Sequence, residues 1–313
     1  MLDTLPATET GTQRHMLDLD ALGRSEIERL LDLAVEMRGV RAARAHRSMM
    51  EAETVGLCFY EGSTRTRVSF ELAAKALGAT VVDLAVAGSS MGKGESLIDT
   101  LRTLERTGVT ALVLRHAAAG APYLAARTTG MAIVNAGDGM HAHPTQALLD
   151  ALTLHEALGA LDGRVIAIVG DVAHSRVARS NLHSLVRLGA HVRLGGPAAW
   201  VRGFDGWPGV EVATSIGDTL DGADAVMTLR VQLERAAATG VSSLREYVAD
   251  WRLDESRMQL AAPNAPILHP GPTNEGVELT AELANGHRSL IGRQVENGVP
   301  VRMAVLSRVT GAA

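Results

Sequence analysis

The chain has 313 residues, with 30 Lys+Arg against 35 Asp+Glu for a formal charge of −5, and 46% apolar, 21% charged and 3% aromatic residues. This is a globular composition long enough for two domains, too acidic for a general nucleic-acid binder, and without an apolar run near the ~18 residues that a membrane span needs. The single cysteine, Cys58, excludes an intrachain disulfide framework and a Cys-based zinc ribbon, and fits a reducing, cytoplasmic setting. Because Lys75 and Lys93 are the only lysines, 30 − 2 = 28 of the cations are arginines, so a single arginine says little about function.

In chain order, residues 1–15 are polar and expected to form a disordered leader. Ser25-x-x-Glu28 has the pattern of a capping box, and Ile27, Leu30, Leu31, Ala34 and Val35 make the apolar stripe of a first helix. Val55 to Tyr60 reads as a buried strand, followed by a polar turn and a helix from Arg67 to Leu77 closed by Gly78. Short apolar runs then recur at Thr110–Leu114, Ala132–Asn135, Val165–Val169, His191–Leu194, Ala225–Met227 and Pro266–Leu268, separated by helical or Gly-rich stretches. Such alternation predicts two three-layer α/β/α domains with parallel sheets. The boundary is expected in the helix after Pro144, giving domains over 16–150 and 151–294. A last helix, grouped over about 295–313 with Pro300 at its N1 position, carries Val299, Arg302, Met303 and Leu306 and is expected to pack back on the first domain.

In open parallel sheets ligands bind beyond the carboxyl ends of the strands, so the residues following each strand are the candidates. After Tyr60, the segment Glu61-Gly62-Ser63-Thr64-Arg65-Thr66-Arg67 gathers hydroxyls, a helix N-terminus and a guanidinium, an arrangement suited to phosphate; a plain N-cap with a surface arginine is the alternative. Gly88 to Glu95 is a Gly/Ser loop carrying Ser89 and Lys93, and it fails the Walker A spacing. Arg115 follows another strand and can reach the same ligand. Asp138 to Gln146 contains His141, His143 and Gln146 before a helix begun by Pro144, so His143 and Gln146 can donate hydrogen bonds to a carbonyl oxygen; a metal site built from His141, His143, Asp138, Asp150, His174 and His269 is the alternative. In the second half Arg176 and Arg230 stand at strand ends as bidentate carboxylate clamps, no G-x-G-x-x-G supports a dinucleotide, and His269-Pro270-Gly271-Pro272 forms a stiff loop.

Taken together, Ser63-Thr64-Arg65-Thr66-Arg67 with Ser69-Phe70-Glu71, His143-Pro144-Thr145-Gln146, Arg230-Val231-Gln232 and His269-Pro270-Gly271-Pro272 resemble the aspartate carbamoyltransferase catalytic chains of the aspartate/ornithine carbamoyltransferase superfamily. The resemblance spans roughly residues 16–309 and implies a carbamoyl-phosphate-binding domain, an aspartate-binding domain, and synthesis of N-carbamoyl-L-aspartate in pyrimidine biosynthesis. It assigns Ser63, Thr64, Arg65, Thr66, Arg115, His143, Gln146, Gly271 and Pro272 to carbamoyl phosphate, and Lys93, Arg176, Arg230 and Gln232 to aspartate. Arg65, Thr66, Lys93, Arg115 and His143 are the implied catalytic set, with no cofactor and no metal. Ser89 and Lys93 match a loop that reaches a neighbouring subunit, which implies a homotrimer with shared active sites; a regulatory or dihydroorotase-like partner chain is compatible, as is a non-catalytic scaffold role. Ornithine enzymes share the first two motifs but carry an Asp and a Ser-Met-Gly loop where this chain has Arg230-Val231-Gln232, and His-Cys-Leu-Pro where it has His269 to Pro272. Gly271 departs from the Leu of some aspartate enzymes.

Overall fold

The computed structural model describes residues 14–42, 48–84, 96–231 and 243–312. Ser89, Lys93, Gln232 and nearly all of the expected leader lie outside the described residues.

The first sheet contains β1 (His15–Met16), β2 (Thr54–Phe59), β3 (Thr80–Leu84), β4 (Ala111–His116) and β5 (Ala132–Asp138), in the order β1-β5-β4-β2-β3 and parallel throughout. The second contains β6 (Val165–Val169), β7 (His191–Gly195), β8 (Val210–Val212), β9 (Ala225–Thr228) and β10 (Ile267–Leu268), in the order β10-β9-β6-β7-β8, again parallel. Parallel neighbours need crossover connections, and here helices supply most of them. The helices are α1 (Arg24–Ala42), α2 (Thr64–Ala76), α3 (Leu97–Arg106), α4 (Ala121–Thr128), α5 (Pro144–Leu158), α6 (Arg176–Arg187), α7 (Ala198–Val201), α8 (Ile216–Leu220), α9 (Leu244–Trp251), α10 (Glu255–Met258), α11 (Ala281–Asn285) and α12 (Ile291–Thr310). Among the described residues no helix is long and apolar enough to cross a membrane.

The strand orders fix where ligands can enter. In the first sheet the chain goes from β2 outward to β3, then crosses to β4 on the other side of β2, which opens a crevice beyond the carboxyl ends of β2 and β4. In the second sheet the same reversal falls between β6 and β9. Between the sheets lies α5, whose residues from Pro144 to Leu154 are all buried, so it serves as a shared core element rather than an exposed linker. The C-terminal helix α12 packs on α1, α2 and α5, as expected for a return to the first sheet.

Several local expectations are corrected. α1 begins one residue before Ser25, and the N–H groups of Glu26 and Ile27 both donate to the Gly23 carbonyl, so Ser25 lies in the first turn rather than at the cap. Val35 is exposed and Met37, fully buried, takes its place in the stripe. Pro300 lies inside α12, ten residues after Leu290, rather than at its start. A proline there removes one helical N–H, and the flanking buried residues Val299, Val301 and Met303 hold the turn by packing. The short strands β1, β3 and β8 were not anticipated; β1 starts at His15, within the expected leader. Finally α2 starts at Thr64, three residues earlier than expected, so the polar turn is the first turn of the helix.

Candidate active site

The first-sheet crevice is lined by the start of α2, the end of β4, and the segment from the end of β5 into α5. Ser63, the N-cap of α2, makes no side-chain capping bond; its hydroxyl instead lies 2.9 Å from the Thr66 hydroxyl. The first-turn N–H groups of Thr64, Arg65 and Thr66 are thus left for a ligand at the positive end of the helix. Thr66 is buried, whereas the Arg65 side chain is exposed and makes no ion pair or hydrogen bond among the described residues. Partial desolvation lowers the Arg65 pKa, the electrostatic mark of a cation held without a counter-charge.

Arg65 reaches the His269–Pro272 loop. Gly271 has φ +64, a backbone conformation that favours glycine, and a Cβ there would overlap the Arg65 guanidinium, so any side chain at this position displaces Arg65 from where it lies. The Gly271 N–H donates to His269 Nδ1 at 2.8 Å. His269 is buried, and desolvation together with Arg65 and Arg230 pushes its pKa down to about 3, keeping the ring neutral.

Arg115, in β4, and Arg176, at the start of α6, converge on one carboxylate. Arg176 Nη1 and Nη2 lie 2.9 and 3.3 Å from the Glu61 oxygens, and Arg115 Nη2 lies 3.6 Å from Glu61. Gly137 admits them: with φ +116, a Cβ there would meet the Arg176 guanidinium at 3.0 Å and Arg115 Nη1 at 3.4 Å. Burial first, and Arg176 second, lower the Arg115 pKa to about 10. Two guanidiniums facing one carboxylate leave an excess positive charge at the junction of the two sheets. The arginine read as a second-half clamp is therefore brought to the first-half residues, with Glu61 as the residue that joins them.

His143 is the N-cap of α5 and is 4% exposed, with its Nδ1 buried and without a partner among the described residues. Burial, then the charges of Arg115, Arg176 and Arg302, hold its pKa well below 6.5, so the imidazole is neutral and suited to hydrogen bonding rather than to carrying charge. Gln146, one turn on, donates its Nε2 to Asp150 Oδ1 at 2.9 Å, which turns Oε1 away from the acid. The expectation that Gln146 donates to a carbonyl oxygen thus meets an amide whose Nε2 is engaged by Asp150 and whose Oε1 is able to accept.

Asp138 accepts from Asn135 Nδ2, Gly120 N and Ala142 N and contacts His141 Nδ1, which makes it an anchor for the loop before α5. Among the described residues no group of three His, Cys, Asp or Glu side chains is arranged to hold a metal ion. Nothing local in the sequence marks Glu61, and Asp150 reads there only as a candidate metal ligand. The i, i+4 spacing of Gln146 and Asp150 was the available signal for the second.

Two parallel-sheet units with an arginine-rich crevice in the first define the class, and comparisons agree on the fold. Residues 14–156 match the family model for the aspartate/ornithine carbamoyltransferase carbamoyl-P binding domain, and 162–309 match the Asp/Orn binding domain. The chain belongs to the aspartate/ornithine carbamoyltransferase family. Aspartate carbamoyltransferase catalytic subunits are 47% identical in Roseiflexus sp. (strain RS-1), over 96% of each chain, and 51% identical in Thermus aquaticus, over 94% of this chain and 97% of that one. Aspartate transcarbamoylase from Trypanosoma cruzi, solved with carbamoyl phosphate and aspartate, superposes with a TM-score of 0.84 at 32% identity over 93% of this chain and 95% of that one. Ornithine carbamoyltransferase from Thermus thermophilus superposes at 0.82 with 29% identity over 98% and 99%.

Proposed function

We propose that this chain transfers the carbamoyl group of carbamoyl phosphate to the amine of L-aspartate, giving N-carbamoyl-L-aspartate and phosphate in pyrimidine biosynthesis. The observation that carries the reading is Arg65, a guanidinium without a described protein partner, held between the open first turn of α2 and Gly271. A phosphate there meets Ser63, Thr64 and Thr66 together with free N–H groups and a cation. Residues 16–150 with the C-terminal helix then form the carbamoyl-phosphate half, and 151–294 the aspartate half, with Arg176, Arg230, Gln232 and Lys93 as the aspartate contacts.

In this reading the amine attacks the carbamoyl carbon, negative charge develops on the carbonyl oxygen, and the tetrahedral intermediate expels phosphate, which can take the amine proton. Arg65, Thr66, Arg115 and the neutral His143 stabilise that developing charge, and Gly271 and Pro272 supply backbone contacts. A substrate carboxylate competes with Glu61 for Arg176. Phosphate release from carbamoyl phosphate, followed as aspartate is added, tests the reading: release that depends on aspartate supports it, and none contradicts it. The Gly271→Ala variant is expected to bind inorganic phosphate about tenfold more weakly, because the new methyl group displaces Arg65. Equilibrium dialysis of the folded variant checks this.

A cytoplasmic homotrimer with shared sites completes the proposal. Its support is the face beside the phosphate site, where Val68 and Leu72, one turn apart on α2, and Val82 on the edge strand β3 are all exposed. Lys93 follows that strand within a dozen residues. Mixing inactive Lys93→Ala and Arg115→Ala chains under subunit exchange is expected to restore part of the activity, since some hybrid sites then hold neither substitution. No recovery would mean that each site is built within one chain.

A further inference from the structure

The carboxylate of Asp150 lies on α5 and is fully buried between the two sheets. Its Oδ1 accepts from Gln146 Nε2 at 2.9 Å and from Gln294 Nε2 at 2.7 Å, and its Oδ2 accepts from Asn181 Nδ2 at 2.9 Å. Each donor leads to a different part of the site. Gln146 stands in the first turn of α5, beyond the carboxyl end of β5. Gln294, on α12, uses its Oε1 to take the backbone N–H of His269 at 2.9 Å, two residues before Gly271. Asn181 lies on α6, the helix that begins with Arg176. One acid therefore ties together three segments distant in sequence, and among the described residues no ion pair of Asp150 within 4 Å explains its burial.

Resting on the carbamoyl-phosphate reading above, we propose that Asp150 is a positioning residue: it fixes the Gln146 amide with Oε1 outward, so that the site recognises the NH2 group of a carbamoyl donor. An ionised carboxylate has no proton to give, so every amide beside it must turn its NH2 inward. The carbonyl of Gln146 is then committed to the ligand side, where an amide N–H donor is accepted and a methyl group is not. An amide left free to rotate would present its own NH2 part of the time, donor against donor. Burial raises the Asp150 pKa to about 6, while the three amides and Arg302 oppose the rise, so the group remains an acceptor at neutral pH.

Acetyl phosphate, in which a methyl replaces the carbamoyl NH2, reads out this orientation, and inorganic phosphate reads out the rest of the site. The parent chain is expected to bind carbamoyl phosphate more tightly than acetyl phosphate. In Asp150→Ala that preference is expected to fall by roughly ten- to a hundredfold, the range for leaving a buried polar contact unmade. Affinity for inorganic phosphate is expected to stay within about threefold of the parent in the same variant, a level at which the anion contacts are intact. Asp150→Asn, which can keep an oxygen toward Gln146 and Gln294 and, once the Asn181 amide flips, turn its NH2 toward Asn181 Oδ1, an atom without a partner among the described residues, is expected to restore most of the preference. Asp150→Ser, with room for a water, replaces the alanine variant if that one does not fold. A folded Ala or Ser variant with the parent's preference, or equal losses for all three ligands, overturns the proposal. A parent chain that does not distinguish carbamoyl from acetyl phosphate contradicts the role of Gln146 itself, before any substitution at Asp150.

Discussion

Arg65→Ala is expected to lower kcat by about a hundred- to a thousandfold, the loss typical of removing one preorganised donor from a developing oxyanion. Its effect on the fold is expected to be small. The guanidinium is exposed and has no described partner to orphan, so the melting temperature should move by no more than about 2 °C. Steady-state kinetics beside a thermal melt separate the two quantities. Wild-type turnover would remove Arg65 from the chemistry, and loss of both activity and fold would make it structural. Arg65→Lys is also expected to be slow, because a point charge cannot match the planar, forked donor geometry.

The second large effect is expected from His143→Ala, on the order of a hundredfold in kcat. The pH behaviour distinguishes a neutral donor from a charged one. A folded His143 held well below 6.5 stays neutral, whereas in the unfolded chain it takes up a proton as pH falls through 6.5. The unfolded state then binds more protons, so His143 makes the parent lose stability as pH falls below about 6.5. Between pH 7.5 and 5.5 the melting temperature of His143→Ala is therefore expected to fall less than the parent's. His269, neutral down to about 3, acts in the same direction in both proteins and leaves that difference unchanged. Asp150, whose folded pKa of about 6 lies above its unfolded value, acts in the opposite direction and likewise cancels. An equal fall in both proteins would mean that His143 is free to protonate in the fold.

Much of the architecture was legible because parallel strands buried on both faces write themselves as short apolar runs, as at Val165–Val169, where expected and observed boundaries coincide. β3 escaped notice because it is a mostly exposed edge strand that includes Asp83, and β1 and β8 because two or three residues leave no periodicity to read. Pro300 misled because proline favours a helix start when only local sequence is considered, whereas packing against α1, α2 and α5 holds the surrounding helix.

The candidate site was legible in its cations and hydroxyls, since the rule that ligands lie beyond strand ends points at Ser63 to Thr66, Arg115 and His143 without any structure. Its acids were not. Glu61 acquires meaning from Arg176, 115 residues away, and Asp150 from Gln294, 144 residues away, and no local pattern encodes such partners. Which end of the Gln146 amide faces a ligand is illegible for the same reason, because an amide can face it with either end until the group behind it is known.

The second anionic substrate defines the proposed reaction as much as the first. Its most direct test is carbamoyl transfer by the purified chain, supplied with carbamoyl phosphate and either L-aspartate or L-ornithine in parallel. Formation of N-carbamoyl-L-aspartate, with no citrulline from ornithine, is the predicted result. Citrulline formation without carbamoyl aspartate would contradict the account, leaving the phosphate site in place but overturning the carboxylate roles of Arg176 and Arg230.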